Sequence, residues 1–162
     1  MVHITHNKHR LLELTIHIIC WGLFFGFPLF FTQDDSGSID WREFINHSGV
    51  SLSFFVIFYI NYLLFIPKVL FKEHTGQFIL LNILLILVVS IGLRYWHNII
   101  AFPPPAPRRP HLPPQYIFYI RDITSMIFTV GLSVAIRMSL RWSATELERR
   151  EAVKSRTEAE LK

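Results

Sequence analysis

The chain has 162 residues, of which 51% are hydrophobic and 17% charged, against about a quarter charged in a soluble domain of this size. With 15 Phe, 4 Trp and 5 Tyr gathered in and around apolar stretches, this composition excludes an ordinary soluble domain and indicates an integral membrane protein. The single cysteine, Cys20, excludes an intrachain disulfide or a cysteine metal cage, and the net charge of +4 flanks apolar segments, so it reads as a topology signal and not as a nucleic-acid footprint.

The expected fold class is all-α: an integral membrane four-helix bundle, N-in/C-in, with a cytoplasmic helical extension after the fourth helix. The expected domains are a transmembrane bundle over 1–142 and a cytoplasmic helix or linker over 143–162. The first apolar run, about Leu11 to Phe31, follows Lys8 and Arg10. It is too long for a signal-peptide core and lacks a small-x-small cleavage site, so it stays as the first span. The second span covers about 50–71, the third about 78–96 and the fourth about 117–138. Each has roughly the 20 residues needed to cross ~30 Å of hydrocarbon. Pro28 and Pro67 fall near helix ends and are expected to shape exits.

Placing both termini inside puts 11 of the 16 basic residues on that side, which favours N-in/C-in by the positive-inside rule. The first outer loop, Gln33 to Gly49, is acidic. The second, Phe102 to Pro114, holds seven of the nine prolines. It predicts a stiff, extended strap that is either a lid or a plain spacer. Between them, Lys72 to Gly76 is short enough to make the second and third helices antiparallel neighbours.

Two stripes of small residues serve helix packing, within the bundle or between two copies. They are Gly22 with Gly26 on the first helix, and Ser125, Thr129 and Ser133 on the fourth. Asn61, near the middle of the second helix, requires a partner, expected to be a carbonyl or hydroxyl of a neighbouring helix.

Charge inside a bilayer costs ~2.5–3.5 kcal/mol per residue on insertion scales, so its positions point to function. The third helix ends with Arg94, Tyr95, Trp96 and His97, and the fourth begins with Tyr119, Arg121 and Asp122. Arg94 and Asp122 are placed to pair across the helix interface. The candidate ligand- or signal-sensing site is therefore Arg94, Trp96, His97, Tyr119, Arg121 and Asp122. The competing account is a structural ion pair inside an interfacial aromatic belt. His17 has no partner histidine at matched depth for a haem. His3, His6 and His9 read as a polar terminus, and His47, His97 and His111 have no spacing that demands a metal. No catalytic motif is present, so no catalytic residue and no metal or other cofactor is assigned to this segment.

The polar tail, Ser143 to Lys162, carries 5 acidic and 5 basic residues. Glu146 reaches Arg150, Glu151 reaches Lys154 and Glu158 reaches Lys162, spacings that support an exposed helix. Ser143 opens a possible capping box with Glu146, which offers a break after the fourth helix. Ala144, Leu147 and Leu161 form a weak apolar seam. The tail lacks a Gly, Pro or apolar cap, the pattern expected of an input module that continues into something larger.

The stretch Asn61-Tyr62-Leu-Leu-Phe-Ile-Pro67-Lys68-Val-Leu70 resembles an "NYxxxxPxxL" pattern of four-helix membrane sensors in LytS/YehU-type histidine kinases, especially those of Bacteroidetes. The tail from Glu148 to Lys162 resembles the linker that precedes their kinase core. The resemblance implies a homodimeric, multi-pass sensor in the bacterial inner membrane. Its tail would lead to an ATP-binding core, beyond Lys162, that phosphorylates a response regulator. Two other classes fit the residues. One is a small membrane scaffold whose tail docks a partner, where the sensor reading makes Ser143, Leu147 and Leu161 the signalling linker. The other is a transporter or redox subunit using the Arg94/Asp122 region.

Overall fold

The computed structural model describes residues 2–30, 32, 37–100 and 115–161. The proline-rich strap, His111 and the loop residues Gln33–Ser36 lie outside them, as do the side chains of His3, His6 and His9. Among the described residues the chain is helical with no strand. It forms α1 (Val2–Gly26), a 3-10 turn (Phe27–Phe30), α2 (Trp41–Ile60), one π turn (Asn61–Phe65), the short α3 (Ile66–Lys68), a second 3-10 turn (Leu70–Lys72), α4 (Thr75–Ile100) and α5 (Gln115–Glu160).

Four of these helical stretches are long and apolar enough to cross a membrane: Glu13–Phe30, Trp41–Lys72, Thr75–Ile99 and part of Tyr116–Glu160. Their outward side chains are those of a protein solvated by lipid. Leu23, Phe30, Val88, Ile91 and Phe128 are all largely exposed, and Phe128 reaches 78%. Apolar exposure on this scale is not found on a soluble monomer, so the bilayer is the natural solvent for these faces.

The second span begins earlier than its apolar run. Trp41 to Gly49, expected in a loop, is helical. The cause is a cap: the Asp40 carbonyl accepts from Phe44 N–H at 3.0 Å, and its carboxylate accepts from Arg42 N–H at 2.9 Å and Glu43 N–H at 3.2 Å. Asp40 with Glu43 has the spacing of a capping box, a legible signal that the hydrophobic run masked.

The turn into α4 is a Schellman motif. The His74 N–H bonds to the Val69 carbonyl at 3.2 Å and the Glu73 N–H to the Leu70 carbonyl at 3.0 Å. Its left-handed residue is Glu73, at φ 65°, where glycine is the usual choice. A side chain in that conformation costs roughly 1–2 kcal/mol. Glu73→Gly is therefore expected to stabilise the fold by about 1 kcal/mol, read as a higher Tm in detergent by circular dichroism. An unchanged or lower Tm counts against the strained cap.

The chain divides into two compact units. One comprises Met1–Phe55 with Val88–Asp122, the other Val56–Leu87 with Ile123–Lys162. In the first, α1 meets α2 through aromatic rings: Trp21 on Phe55 at 4.8 Å, Phe24 on Phe54 at 5.9 Å and Phe25 on Phe55 at 6.2 Å. Among the described residues of one chain, a Cβ at Gly22 or Gly26 would meet nothing within 4 Å. The close approach falls on Gly49, where an added Cβ would lie 2.5 Å from Trp96 Cδ1. The indole is pinned there by its Nε1–H, which donates to the Ile45 carbonyl at 3.2 Å.

In the second unit the core is Ile57, Phe58, Tyr62, Ile66, Phe78 and Met126, with Asn61, Asn82 and Ser133 among them. The α5 stripe of small residues faces inward. Thr129 and Ser133 donate their hydroxyls to the Ser125 and Val130 carbonyls of their own helix, and Ser133 is completely buried.

The fourth helix does not stop at the possible capping box. It runs 46 residues without interruption. At Ser143 the helix continues, and the neighbouring Thr145 hydroxyl donates to the Arg141 carbonyl at 3.0 Å. The expected Glu146–Arg150 pair forms at 3.0 Å. Leu147 and Leu161 of the seam are exposed, at 60% and 82%.

Candidate functional site

The six residues expected to form one sensing pocket divide into four arrangements. Asp122, with only 14% of its side chain exposed, takes Arg121 at 2.7 Å. The expected pairing with Arg94 does not occur. Neighbours in sequence point to different faces of a helix, yet the arginine stem is long enough to fold over its own turn and reach the adjacent carboxylate. Arg121 also lies over the Phe118 ring at 5.5 Å. Arg94 instead sits over the Tyr119 ring at 5.7 Å, so α4 and α5 are joined by a cation–π contact and not by a salt bridge. Trp96 faces α2 as described, and His97 Nδ1 engages the Leu93 carbonyl of its own helix at 2.9 Å. Among the described residues no group of three or more His, Cys, Asp or Glu side chains is arranged to hold a metal ion.

A second arrangement, in the other unit, centres on the Asn61–Pro67 stretch and has a more specific geometry. α2 carries a buried stripe at four-residue spacing: Gly49, Ser53, Ile57 and Asn61. The next buried position on this line is Ile66, five residues on. In an uninterrupted α-helix a five-residue step would turn Ile66 about 100° further round than a four-residue step does. The π turn Asn61–Phe65 absorbs the extra residue, and the Ile66 N–H bonds to the Asn61 carbonyl. Pro67 explains why the turn sits here. It has no N–H for the Leu63 carbonyl, and its ring would press on that carbonyl in a regular helix. The regular pattern resumes with Val69 N–H to the Phe65 carbonyl at 2.9 Å.

Asn61 is fully buried and donates from Nδ2 to the Ile57 carbonyl of its own helix at 3.0 Å. The expected partner on a neighbouring helix is not there, and Oδ1 has no partner among the described residues. Asn82 repeats the arrangement on α4, with Nδ2 to the Phe78 carbonyl at 3.0 Å and Oδ1 unpaired. This second asparagine was readable as a polar group in an apolar run, but its burial was not.

Tyr62, the first residue after Asn61, stacks on Phe58 with centroids 5.5 Å apart and planes at 12°. From α5, Arg137 places its guanidinium 4.7 Å from the Tyr62 ring centre, and one turn later Arg141 lies 4.3 Å from the Phe71 ring centre. Two cation–π contacts therefore clasp α5 to the chain, one within the π turn at Tyr62 and one beyond it at Phe71.

No protein-family model, curated protein or solved structure matches this chain. The site's meaning must come from its own geometry. π turns inside helices recur at functional positions because they hold an extra residue that a small rearrangement can release. Here the extra residue lies next to a clasp on a helix that continues into a charged tail. The arrangement suits a mechanical role: a local change in α2 has a direct side-chain route, Tyr62 to Arg137, into α5.

Proposed function

We propose that this chain is the membrane signal-input region of a LytS/YehU-type sensor histidine kinase, with both termini on the cytoplasmic side of a bacterial inner membrane. The observation that carries the reading is the unbroken α5, which joins an apolar span to a solvated, charged tail. A scaffold needs only a tail; a relay needs a rod between the membrane and the tail. The Tyr62–Arg137 and Phe71–Arg141 contacts give the end of the second span a hold on that rod.

In this mechanism two copies lie side by side with their tails in parallel. A stimulus acting at the outer face or within the bilayer favours one of two packings of α2 around the π turn. The bias can be no larger than the difference in the stimulus's interaction with the two packings. Loosening the clasp lets α5 shift, and the tail passes the shift to a kinase core that uses ATP and phosphorylates a response regulator.

The native reading frame past Lys162 is the first test. The expected continuation is a histidine in an Asn-Pro-His-Phe-like motif within a few tens of residues, then a Gly-rich ATP-binding region. A stop codon there ends the kinase reading. In membranes carrying the full native protein, Ser143→Pro is expected to leave insertion intact and to uncouple autophosphorylation from the bundle. Proline in a helix interior costs ~3 kcal/mol and removes the bond to the Ser139 carbonyl. Wild-type phosphorylation in that variant means the rod is not the relay.

A further inference from the structure

Around the clasp, the unit made of Val56–Leu87 and Ile123–Lys162 gathers four cations: Lys68, Lys72, Arg137 and Arg141. None of the four forms an ion pair among the described residues, unlike Arg121 with Asp122 and Arg150 with Glu146. The two arginines rest on the Tyr62 and Phe71 rings at 4.7 and 4.3 Å, which holds them close to the segment that carries the two lysines. Glu73 is the one acid between Val56 and Leu87, and none lies between Ile123 and Arg141. Three residues after Lys72, α4 begins with no acid in its first turn, so the positive end of its dipole adds to the same field. A segment this rich in unpaired cations and poor in acids favours a counter-anion.

We propose that this basic shelf binds the phosphate headgroup of an anionic phospholipid, clamped between the Lys68–Lys72 segment and the Arg137–Arg141 turn of α5. The occupant is a lipid and not a soluble phosphate because aliphatic surface adjoins the charges. Leu63 and Leu64 on the π turn and Leu140 beside Arg141 are exposed, and acyl chains can lie along them while the headgroup meets the cations. The rings under the arginines position the guanidinium groups, and the planar fork of each suits two phosphate oxygens. The site does not depend on a kinase following the chain. If one does follow, the lipid would bridge the two sides of the clasp and set its resting strength.

The test is lipid retention by the purified 162-residue chain in a neutral detergent. Phosphatidylglycerol and phosphatidylcholine are titrated separately and bound lipid is read by native mass spectrometry. Preferential retention of phosphatidylglycerol is expected. Lys68→Gln with Lys72→Gln, both at exposed positions, should weaken it by roughly 30-fold, from the usual contribution of a basic residue near an anionic surface. Arg137→Gln with Arg141→Gln should weaken it at least as much, and the lysine pair keeps the test valid if that variant folds poorly. Arg149→Gln with Arg156→Gln, on the exposed tail, should leave retention unchanged. The proposal is overturned if phosphatidylcholine is held equally well, or if the lysine variant retains phosphatidylglycerol like wild type. It is equally overturned if the tail variant loses as much, or if millimolar inorganic phosphate displaces the lipid, which would make the shelf a free-phosphate site.

Discussion

Gly49→Ala is expected to destabilise the chain by about 2 kcal/mol, within the range for overpacking a filled contact. The new Cβ would stand 2.5 Å from Trp96 Cδ1 and 2.7 Å from Nε1, closer than real Cβ atoms come. The indole cannot easily retreat, because its Nε1–H is bonded to the Ile45 carbonyl at 3.2 Å. The sign is informative, since helix propensity alone favours alanine over glycine by up to ~1 kcal/mol. In a Trp96→Ala background the obstruction is gone, and the same Gly49→Ala change should be neutral or stabilising. Reversible unfolding of the four proteins in detergent, followed by circular dichroism, gives the cycle. If Gly49→Ala has the same effect in both backgrounds, the two residues do not meet and the α2–α4 contact is wrong.

Tyr62→Ala is the second large expectation, a loss of about 3–4 kcal/mol. The ring is 4% exposed and stacked on Phe58, and removal of a buried aromatic side chain costs ~3–5 kcal/mol. Part of that loss belongs to the clasp. Combined with Arg137→Gln, the double variant should fall short of additivity by about 0.5–2 kcal/mol, the range for cation–π contacts from exposed to desolvated. Additivity within ~0.3 kcal/mol would mean the guanidinium and the ring share no energy. The relay from α2 to α5 would then lose its route. Arg141→Gln, on Phe71 at 4.3 Å, provides the matched comparison one turn along.

What could be read from the residues differed sharply between backbone and side chains. The spans were legible because lipid imposes a length: about 20 apolar residues with every backbone group satisfied internally. Four such stretches are present, and among the described residues four helices are long and apolar enough to span. The Asp40 cap was also legible, as an Asp followed three residues later by Glu, but hydropathy alone begins the second span at Val50. The unbroken α5 was ambiguous, since Ser143 with Glu146 is a valid capping box and an equally tolerable piece of helix. Lateral pairing was not readable. Gly22, Gly26 and Gly49 are all glycines on apolar helices, and only the position of Trp96 selects Gly49 as the point of contact. Asp122 had two arginines within reach, and the rotamer of Arg121 decided between them.

The sequence by itself determined that this is a multi-pass helical membrane protein with a charged helical tail, because those properties follow from local composition and period. The tertiary structure alone decided that Asn61–Phe65 forms a π turn and that Tyr62 and Phe71 carry Arg137 and Arg141. A one-residue slip in helical phase and the face on which a long side chain settles are set by neighbouring helices. Their energies are small beside the cost of leaving a backbone group unpaired in lipid, so they leave no strong mark on local sequence.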